Sequence, residues 1–161
     1  MPETEKRKQA WESFQAAYDA QMHGESKRAV ALYEESLRIF PSAETYTFFG
    51  WSYSYEGDFN TAIALCHKAI AVDQDFGNPY NDIGAYLIEL GRFDDAIPWL
   101  EQVTIAARYD SYCFAWMNLG RIWERKGFWF RAIECYKQSL DCDPGYSLPA
   151  RALARIRGRL N

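Results

Sequence analysis

The sequence predicts an all-α fold, a solenoid of antiparallel helix pairs, and three regularities carry this prediction. Glycines recur at spacings of 33, 34 and 36 residues, at Gly24, Gly57, Gly91 and Gly127. An alanine follows each of them five residues later, and another glycine precedes each of the last three by seven residues. Self-similarity at a period of this length is typical of repeat architectures, in which each repeat is one supersecondary unit.

The two glycines of each copy suit different places in a helix pair. Gly91 follows an apolar stretch and suits a left-handed helix C-cap, a conformation that residues with a Cβ atom disfavour. Gly84 lies inside that stretch, where glycine costs about 1 kcal/mol of helix propensity relative to alanine. That cost is reasonable only where the backbone of another helix comes too close to leave room for a side chain. We therefore predict two helices per copy, with the turn at the second glycine and the alanine as the matching small position.

The repeat period places the helices along the chain. The first helices of the pairs are predicted at about residues 8–22, 43–56, 77–90 and 112–126. Their partners are predicted at about residues 25–39, 59–72, 93–107 and 128–141. No single pair can bury its apolar face alone, so stability is expected to come largely from the interfaces between repeats.

A last helix is predicted at about residues 147–160. Leu148, Ala152, Ile156 and Leu160 share one face of it, and four arginines lie largely off that face: Arg151, Arg155, Arg157 and Arg159. This pattern indicates a capping helix with a solvated outer side. An RNA-contacting basic helix is the alternative, which the net charge of −4 disfavours.

The third copy departs from the regular spacing. Two extra residues lie around 108–110, between Gly91 and Gly127. They predict either a longer second helix or an altered exit loop. A tolerated loop insertion is the simpler interpretation, and a local change in superhelical pitch is the functional one.

The fourth copy contains the fullest motif. It reads Trp116, Leu119, Gly120, Trp123, Gly127, Ala132, Tyr136 and Pro144. This resembles the tetratricopeptide repeat, whose pattern is W-x2-L-G-x2-Y…A-x3-F…P with a period of 34. The resemblance covers about residues 10–146 in four copies, of which the first is the faintest. It implies a right-handed superhelix forming one domain over residues 1–161, with repeats at about 10–42, 43–76, 77–112 and 113–146 and a cap at about 147–160.

Composition and motifs disfavour several classes of function. The net charge of −4 argues against nucleic acid or an anionic membrane as the main partner. We find neither an apolar leader segment nor a stretch of about 18 apolar residues, so we predict no membrane insertion. The four cysteines form no C-x-x-C pair and are predicted to be reduced thiols in a cytoplasmic protein.

Catalysis also has little support. No common nucleophile, phosphate-loop or zinc-protease motif is present. The adjacent Cys66 and His67 point about 100° apart on a helix and make a poor catalytic dyad. We therefore predict a protein that is not an enzyme and that uses no cofactor and no metal.

The resemblance also implies a binding surface. In the family, the first helices of the pairs line a concave groove that holds an extended peptide or a partner helix. By repeat position, the groove residues here are Trp11, Phe14, Gln15 and Tyr18; Thr47, Phe48, Trp51 and Tyr55; Asn78, Asn81, Asp82 and Glu89; and Phe114, Asn118, Arg121 and Arg125. The first half is aromatic, and the second half is amide-rich and charged.

Individual groove residues suggest individual contacts. Asn81 and Asn118 could each form paired hydrogen bonds with the main chain of a ligand. Arg121 and Arg125 could receive a carboxylate, unless Asp82 and Glu89 neutralise them. The family's Lys/Asn/Arg clamp for chaperone tails is absent, because Phe14, Tyr18 and Phe48 stand at its places.

The leading functional hypothesis is an adaptor or scaffold that binds a protein or peptide partner in this groove. A small holding chaperone for apolar client segments is the runner-up, favoured by the aromatic half. Self-association as a homo-oligomer through the same aromatic surface is the third. An N-terminal segment or the chain's own packing could also cover that surface.

Overall fold

The computed structural model describes residues 1–109 and 111–161. Over this part of the chain it forms nine α-helices: α1 (Glu3–Met22), α2 (Ser26–Ile39), α3 (Ala43–Tyr55), α4 (Phe59–Val72), α5 (Asn78–Glu89), α6 (Phe93–Val103), α7 (Tyr112–Arg125), α8 (Trp129–Cys142) and α9 (Ser147–Leu160). The predicted all-α fold of helical repeats is confirmed. Within the described residues, no helix is both long and apolar enough to cross a membrane.

The helices divide into two compact units, residues 1–82 and 83–161, and the division falls inside α5. In the first unit, α1 packs against α2, α2 against α3, and α3 against α4. In the second unit, α6 packs against α7, α7 against α8, and α8 against α9. Within each unit these helices are neighbours both along the chain and in space, as expected for helical hairpins. The single domain over residues 1–161 and its repeat boundaries stay predictions.

The four turn glycines close the hairpins in the same way. Their φ angles lie between 73° and 80°, in the left-handed region. After Gly91, the amide of Arg92 donates to the carbonyl of Leu87 at 2.8 Å, and after Gly127 the amide of Phe128 donates to that of Trp123 at 2.8 Å. This six-to-one hydrogen bond is the Schellman motif. The prediction that these glycines are helix-ending turns is confirmed.

The mid-helix glycines lie beneath large side chains. A Cβ atom at Gly84 would fall 2.5 Å from Cγ of Leu100, and one at Gly120 would fall 2.5 Å from Cε1 of Tyr136. Only at Gly50 is the neighbour a helix backbone, the carbonyl of Ala62 at 3.3 Å. The close approach is as predicted, but at Gly84 and Gly120 a side chain rather than a backbone fills the space. Glycine is needed there because the partner helix places its bulk directly on the Cα atom.

Buried serines join the open ends of two hairpins. Ser36 near the end of α2 donates to the carbonyl of Ala10 at 2.7 Å. Ser139 near the end of α8 donates to the carbonyl of Cys113 at 2.7 Å. Both pairs are 26 residues apart in sequence, so the first and fourth repeats share this link. The hydrogen bond satisfies a hydroxyl that would be costly to bury without a partner.

Two predicted helix bounds need correction. The helix predicted from residue 8 begins at Glu3, where an exposed ion pair of 2.6 Å joins Glu3 to Arg7. The helix predicted to reach residue 107 ends at Val103, so the second helix of this repeat is not longer, and that alternative is wrong. The insertion at 108–110 includes Asp110, which lies outside the described residues.

The capping helix α9 has the predicted bounds but buries a different face. Its buried residues are Pro149, Ala152, Leu153 and Ile156. Leu148 and Leu160, predicted to face inward, are 46% and 52% exposed. Because Ala152 and Ile156 belong to both possible stripes, sequence periodicity alone could not separate the two faces.

We expect Gly84→Ala to destabilise the protein, because its methyl group would overlap the fully buried Leu100. Overpacking of this kind costs about 1–3 kcal/mol, which outweighs the gain in helix propensity. The matched control is Gly158→Ala in α9, where nothing lies within 4 Å and alanine should stabilise slightly. Chemical denaturation measures both. A Gly84→Ala protein as stable as the Gly158→Ala protein would contradict the packing argument.

Candidate functional site

An aromatic cluster covers one face of α1 and α3 in the first unit; we define it as Trp11, Phe14, Tyr18, Phe48 and Trp51. The ring centroids of Trp11 and Phe14 are 4.8 Å apart, and those of Phe48 and Trp51 are 4.4 Å apart. Phe48 also meets the edges of Phe14 and Tyr18, each at 5.5 Å. Three- and four-residue spacings bring these residues to one side of each helix, so the rings form a continuous layer.

The layer is buried at its base and exposed at its outer edge. Phe14 is only 7% exposed and belongs to the core with Tyr33 and Phe49. In contrast, Trp11 is 50% exposed and Tyr18 38%. Tyr55, the next aromatic residue along this face of α3, is 65% exposed. The outer rings are therefore accessible, and those of Trp11 and Tyr18 pack against the less exposed rings of Phe14 and Phe48.

Two predicted groove residues of the first two repeats are not accessible in the structure. Phe14 lies in the core as described, and Thr47 is fully buried, donating its hydroxyl to the carbonyl of Ala43 at 2.7 Å. Both side chains support the surface from below and cannot contact a partner directly. Gln15 is exposed beside them.

A buried carboxyl group holds the tryptophan of the cluster. The indole N–H of Trp51 donates to Oδ2 of Asp82 at 2.7 Å. Burial of the carboxyl group raises the pKa of Asp82 from 3.8 to about 7, although hydrogen bonds from Trp51 and Asn81 act in the opposite direction. The polar edge of Trp51 is therefore already satisfied, and its ring faces remain for packing.

The two asparagines predicted to bind a ligand main chain are mostly buried. Asn81 and Asn118 are each 8% exposed. Asn81 hydrogen-bonds to Asp82. Oδ1 of Asn118 accepts a hydrogen bond from Arg121 at 3.2 Å. A ligand would have to replace these contacts, so the paired hydrogen bonds stay a prediction. Asn78 is half-buried at the start of α5.

The predicted residues of α7 form a polar stripe in the second unit. Arg121 makes an ion pair of 2.9 Å with Glu89 of α5, the neutralisation that the sequence suggested for this arginine. Arg125, one turn further on, is exposed and makes no ion pair with any described residue. Phe114 begins the stripe, 42% exposed, with its ring edge-on to Tyr146.

Sequence reasoning missed a hydrogen-bonded relay in the first repeat. The hydroxyl of Tyr33 in α2 donates to Oε1 of Gln21 in α1 at 2.7 Å. The amide nitrogen of Gln21 then donates to Ser52 of α3 at 2.9 Å and to the carbonyl of Phe48 at 3.3 Å. One glutamine thus ties its own hairpin to the helix that carries the aromatic cluster.

The fourth repeat contains the same relay in charged form. The hydroxyl of Tyr136 donates to Glu124 at 2.7 Å, and Arg155 of α9 donates to both oxygens of Glu124 at 2.7 and 3.0 Å. Although burial raises the pKa of Glu124, the hydrogen bonds from Arg155 and Tyr136 outweigh it and hold the pKa below 4.5. Gln21 and Glu124 each lie three residues before a turn glycine. This shared position, three residues before the turn glycine, is the sequence signal from which the relay could have been predicted.

Three of the four cysteines, Cys66, Cys113 and Cys135, are buried, and Cys142 is exposed; all four are free. Burial raises the pKa of the Cys135 thiol to about 11, which keeps it protonated and unreactive. Among the described residues, no group of three or more histidines, cysteines or carboxylates is placed to hold a metal ion.

Comparison with known families identifies the class of protein. Two family models, each described as tetratricopeptide repeat, match residues 55–122 and 113–146. Together they cover more than half of the chain, and the chain belongs to the tetratricopeptide-repeat family. The first repeat lies outside both matches, in agreement with its fainter motif. No curated protein matches the chain in sequence.

Solved structures show the same fold at low sequence identity. The chain is similar to pilF of Pseudomonas aeruginosa, with a TM-score of 0.88 and 21% identity over 95% of this chain and 70% of that one. PilW, a type IV pilus biogenesis factor, gives 0.85 and 20% over 92% and 68%. YrrB, a TPR protein with an unusual peptide-binding site, gives 0.70 and 19% over 89% and 73%. The fold is therefore an all-α helical-repeat solenoid.

The raised pKa of Asp82 predicts a pH-dependent stability. Between about pH 4 and pH 7 the folded protein holds a proton that the unfolded chain releases, so the contribution of Asp82 to stability falls as the pH rises. Asp82→Asn keeps an acceptor for Trp51 and removes this charge. We expect its melting temperature relative to the unmodified protein to increase steadily from pH 4 to pH 7.5.

Circular dichroism melts at several pH values measure this difference. Glu12→Gln, an exposed carboxylate of α1 in the same unit, is the control and should show no such trend. If the Asp82→Asn difference is the same at pH 4 and pH 7.5, the carboxyl group of Asp82 is not protonated in the folded state near neutral pH.

Proposed function

We propose that this chain is a non-enzymatic interaction module, an adaptor that binds a peptide or a partner helix on the aromatic cluster of α1 and α3. The observation that supports it most is the exposure of Trp11 and Tyr18 against the buried ring of Phe14 and the half-buried ring of Phe48, with Tyr55 exposed on the same helix as Phe48. Single exposed aromatic side chains are ordinary, but a contiguous exposed patch usually marks an interaction site. Membership of the tetratricopeptide-repeat family supports the same function.

The chemistry of the cluster favours a protein segment as its ligand. Tryptophan and tyrosine supply large contact areas at a low cost in conformational entropy, and they are enriched among the residues that dominate binding energy. Phe14 and Phe48 brace the outer rings from below, so little further ordering is needed on binding. Tyr18 and Tyr55 add hydroxyl groups that can reach the main chain of a ligand.

The free state of the cysteines supports placing this adaptor in the reducing environment of the cytoplasm. The runner-up functions use the same surface and differ in the ligand. A holding chaperone would accept many apolar segments without a sequence preference, whereas an adaptor selects a motif. Self-association would bury the cluster against a second copy of the chain.

Selection from a displayed random-peptide library tests the proposal. We expect enriched peptides with a shared motif, and we expect the triple variant Trp11→Ala, Tyr18→Ala, Tyr55→Ala to lose at least about tenfold in affinity for them. The control is Phe130→Ala in the second unit, which removes a ring that is 80% exposed outside the cluster and should bind normally.

The alternatives give different outcomes. Enrichment of apolar peptides without a motif would favour the chaperone. Concentration-dependent sedimentation that the triple variant abolishes would favour self-association. Enriched peptides that the triple variant binds as tightly as the unmodified chain would remove the aromatic cluster from the proposal.

A further inference from the structure

A cavity of about 500 Å³ lies in the second unit between α7, the start of α8 and α9. It is lined by Arg121, Glu124, Arg125, Trp129, Arg155 and Arg159. Four of these six residues are arginines, in a chain whose net charge is −4. Positive charge is therefore concentrated at one concave place on an otherwise acidic protein.

Two of the four arginines are neutralised by carboxylates. Arg121 pairs with Glu89 at 2.9 Å. Arg155 makes a two-pronged pair with Glu124, whose side chain is only 12% exposed and also accepts from Tyr136. These contacts hold the walls of the cavity in place, because each joins α7 to another helix.

The other two arginines make no ion pair with a described residue. Arg125 is exposed at the end of α7. The guanidinium carbon of Arg159 lies 5.8 Å from the ring centroid of Trp129, within cation–π distance. Each lies in the last turn of its helix, where a cation is favoured by the helix dipole. The dipole does not explain why both line one cavity, together with a tryptophan.

We propose that this cavity binds a carboxylate-bearing segment of a protein partner, with Arg125 and Arg159 as the groups that receive the carboxylates. The planar guanidinium matches a carboxylate with two parallel hydrogen bonds, and the ring of Trp129 offers an apolar wall to the adjoining methylene groups. The buried negative charge of Glu124 and the acidic chain disfavour a long polyanion such as nucleic acid. The inference deepens the proposed function and rests on it only in taking a protein segment as the ligand.

Fluorescence anisotropy with a labelled short polyglutamate peptide, on the full chain, tests the proposal. We expect saturable binding that weakens at high salt, because two exposed cations supply the attraction. The double variant Arg125→Gln, Arg159→Gln should weaken binding by about tenfold or more. The matched control, Arg151→Gln with Arg157→Gln, removes the same charge from exposed positions of α9 outside the cavity and should change affinity by less than about twofold.

A second peptide shows whether the carboxylates that bind come from acidic side chains or from a chain terminus. A C-terminally amidated polyglutamate that binds equally well assigns the site to acidic side chains, and one that binds far more weakly assigns it to a chain terminus. No binding of polyglutamate, equal weakening by both double variants, or tighter binding of an oligothymidylate of equal charge would each overturn the proposal.

The aromatic cluster and the arginine cavity can be tested independently of each other. The triple variant Trp11→Ala, Tyr18→Ala, Tyr55→Ala should bind polyglutamate normally, because its substitutions lie in the first unit. If the library selection succeeds and polyglutamate does not bind, this inference is wrong and the proposed function stands. If polyglutamate binds as expected and the library selection fails, the aromatic cluster is not the docking surface and the arginine cavity stands on its own.

Discussion

The structure depends on one recurring constraint: a small residue of one helix must receive a large side chain of its partner. Gly120 of α7 lies directly under the ring of Tyr136 of α8, and Gly84 of α5 lies under Leu100 of α6. These large side chains are fully buried, so they have no other place to go. Protein interiors are packed as densely as organic crystals, so neither residue of such a contact can become larger without displacing the other. The α5–α6 and α7–α8 hairpins therefore each close in one geometry.

That geometry determines where the polar groups of a hairpin can reach. With its ring over Gly120, Tyr136 brings its hydroxyl to Glu124, and Glu124 then binds Arg155 of the following helix. The first repeat uses the same arrangement with a neutral glutamine, since Tyr33 donates to Gln21 and Gln21 donates to α3. Packing inside a hairpin and attachment to the next helix are thus coupled through one side chain. A buried donor or acceptor left unpaired is costly, so a shift of one helix along another that broke these hydrogen bonds would destabilise the fold.

The helices were predictable because their ends depend on local chemistry. Each hairpin requires a turn residue in the left-handed conformation, and a glycine occupies that position in all four. Most predicted helix ends therefore agree with the structure to within one or two residues. The end of α6 was not predictable in the same way, because two extra residues interrupt the regular spacing of its repeat.

The site was predictable only in outline. Repeat position brings Trp11, Phe14 and Tyr18 to one face of α1, but which ring is buried depends on the size of Phe48 and Tyr33 on other helices. The hydrogen bond between Trp51 and Asp82 joins residues 31 apart, and neither belongs to the repeat motif. Exposure and partner choice are tertiary properties, which a period of about 34 residues does not specify.

The capping helix has a role that the solenoid argument alone would not assign to it. A cap is needed to cover the last apolar face, and Pro149, Ala152, Leu153 and Ile156 are buried in doing so. A purely solvating outer side could carry any mixture of charges. Instead, Arg155 anchors α9 to the buried Glu124, and Arg159, one turn later on the same side, reaches the ring of Trp129. The attachment that orients the cap therefore also brings an uncompensated arginine to the cavity wall, so the stability of the cap and the proposed binding of carboxylates depend on the same side of one helix.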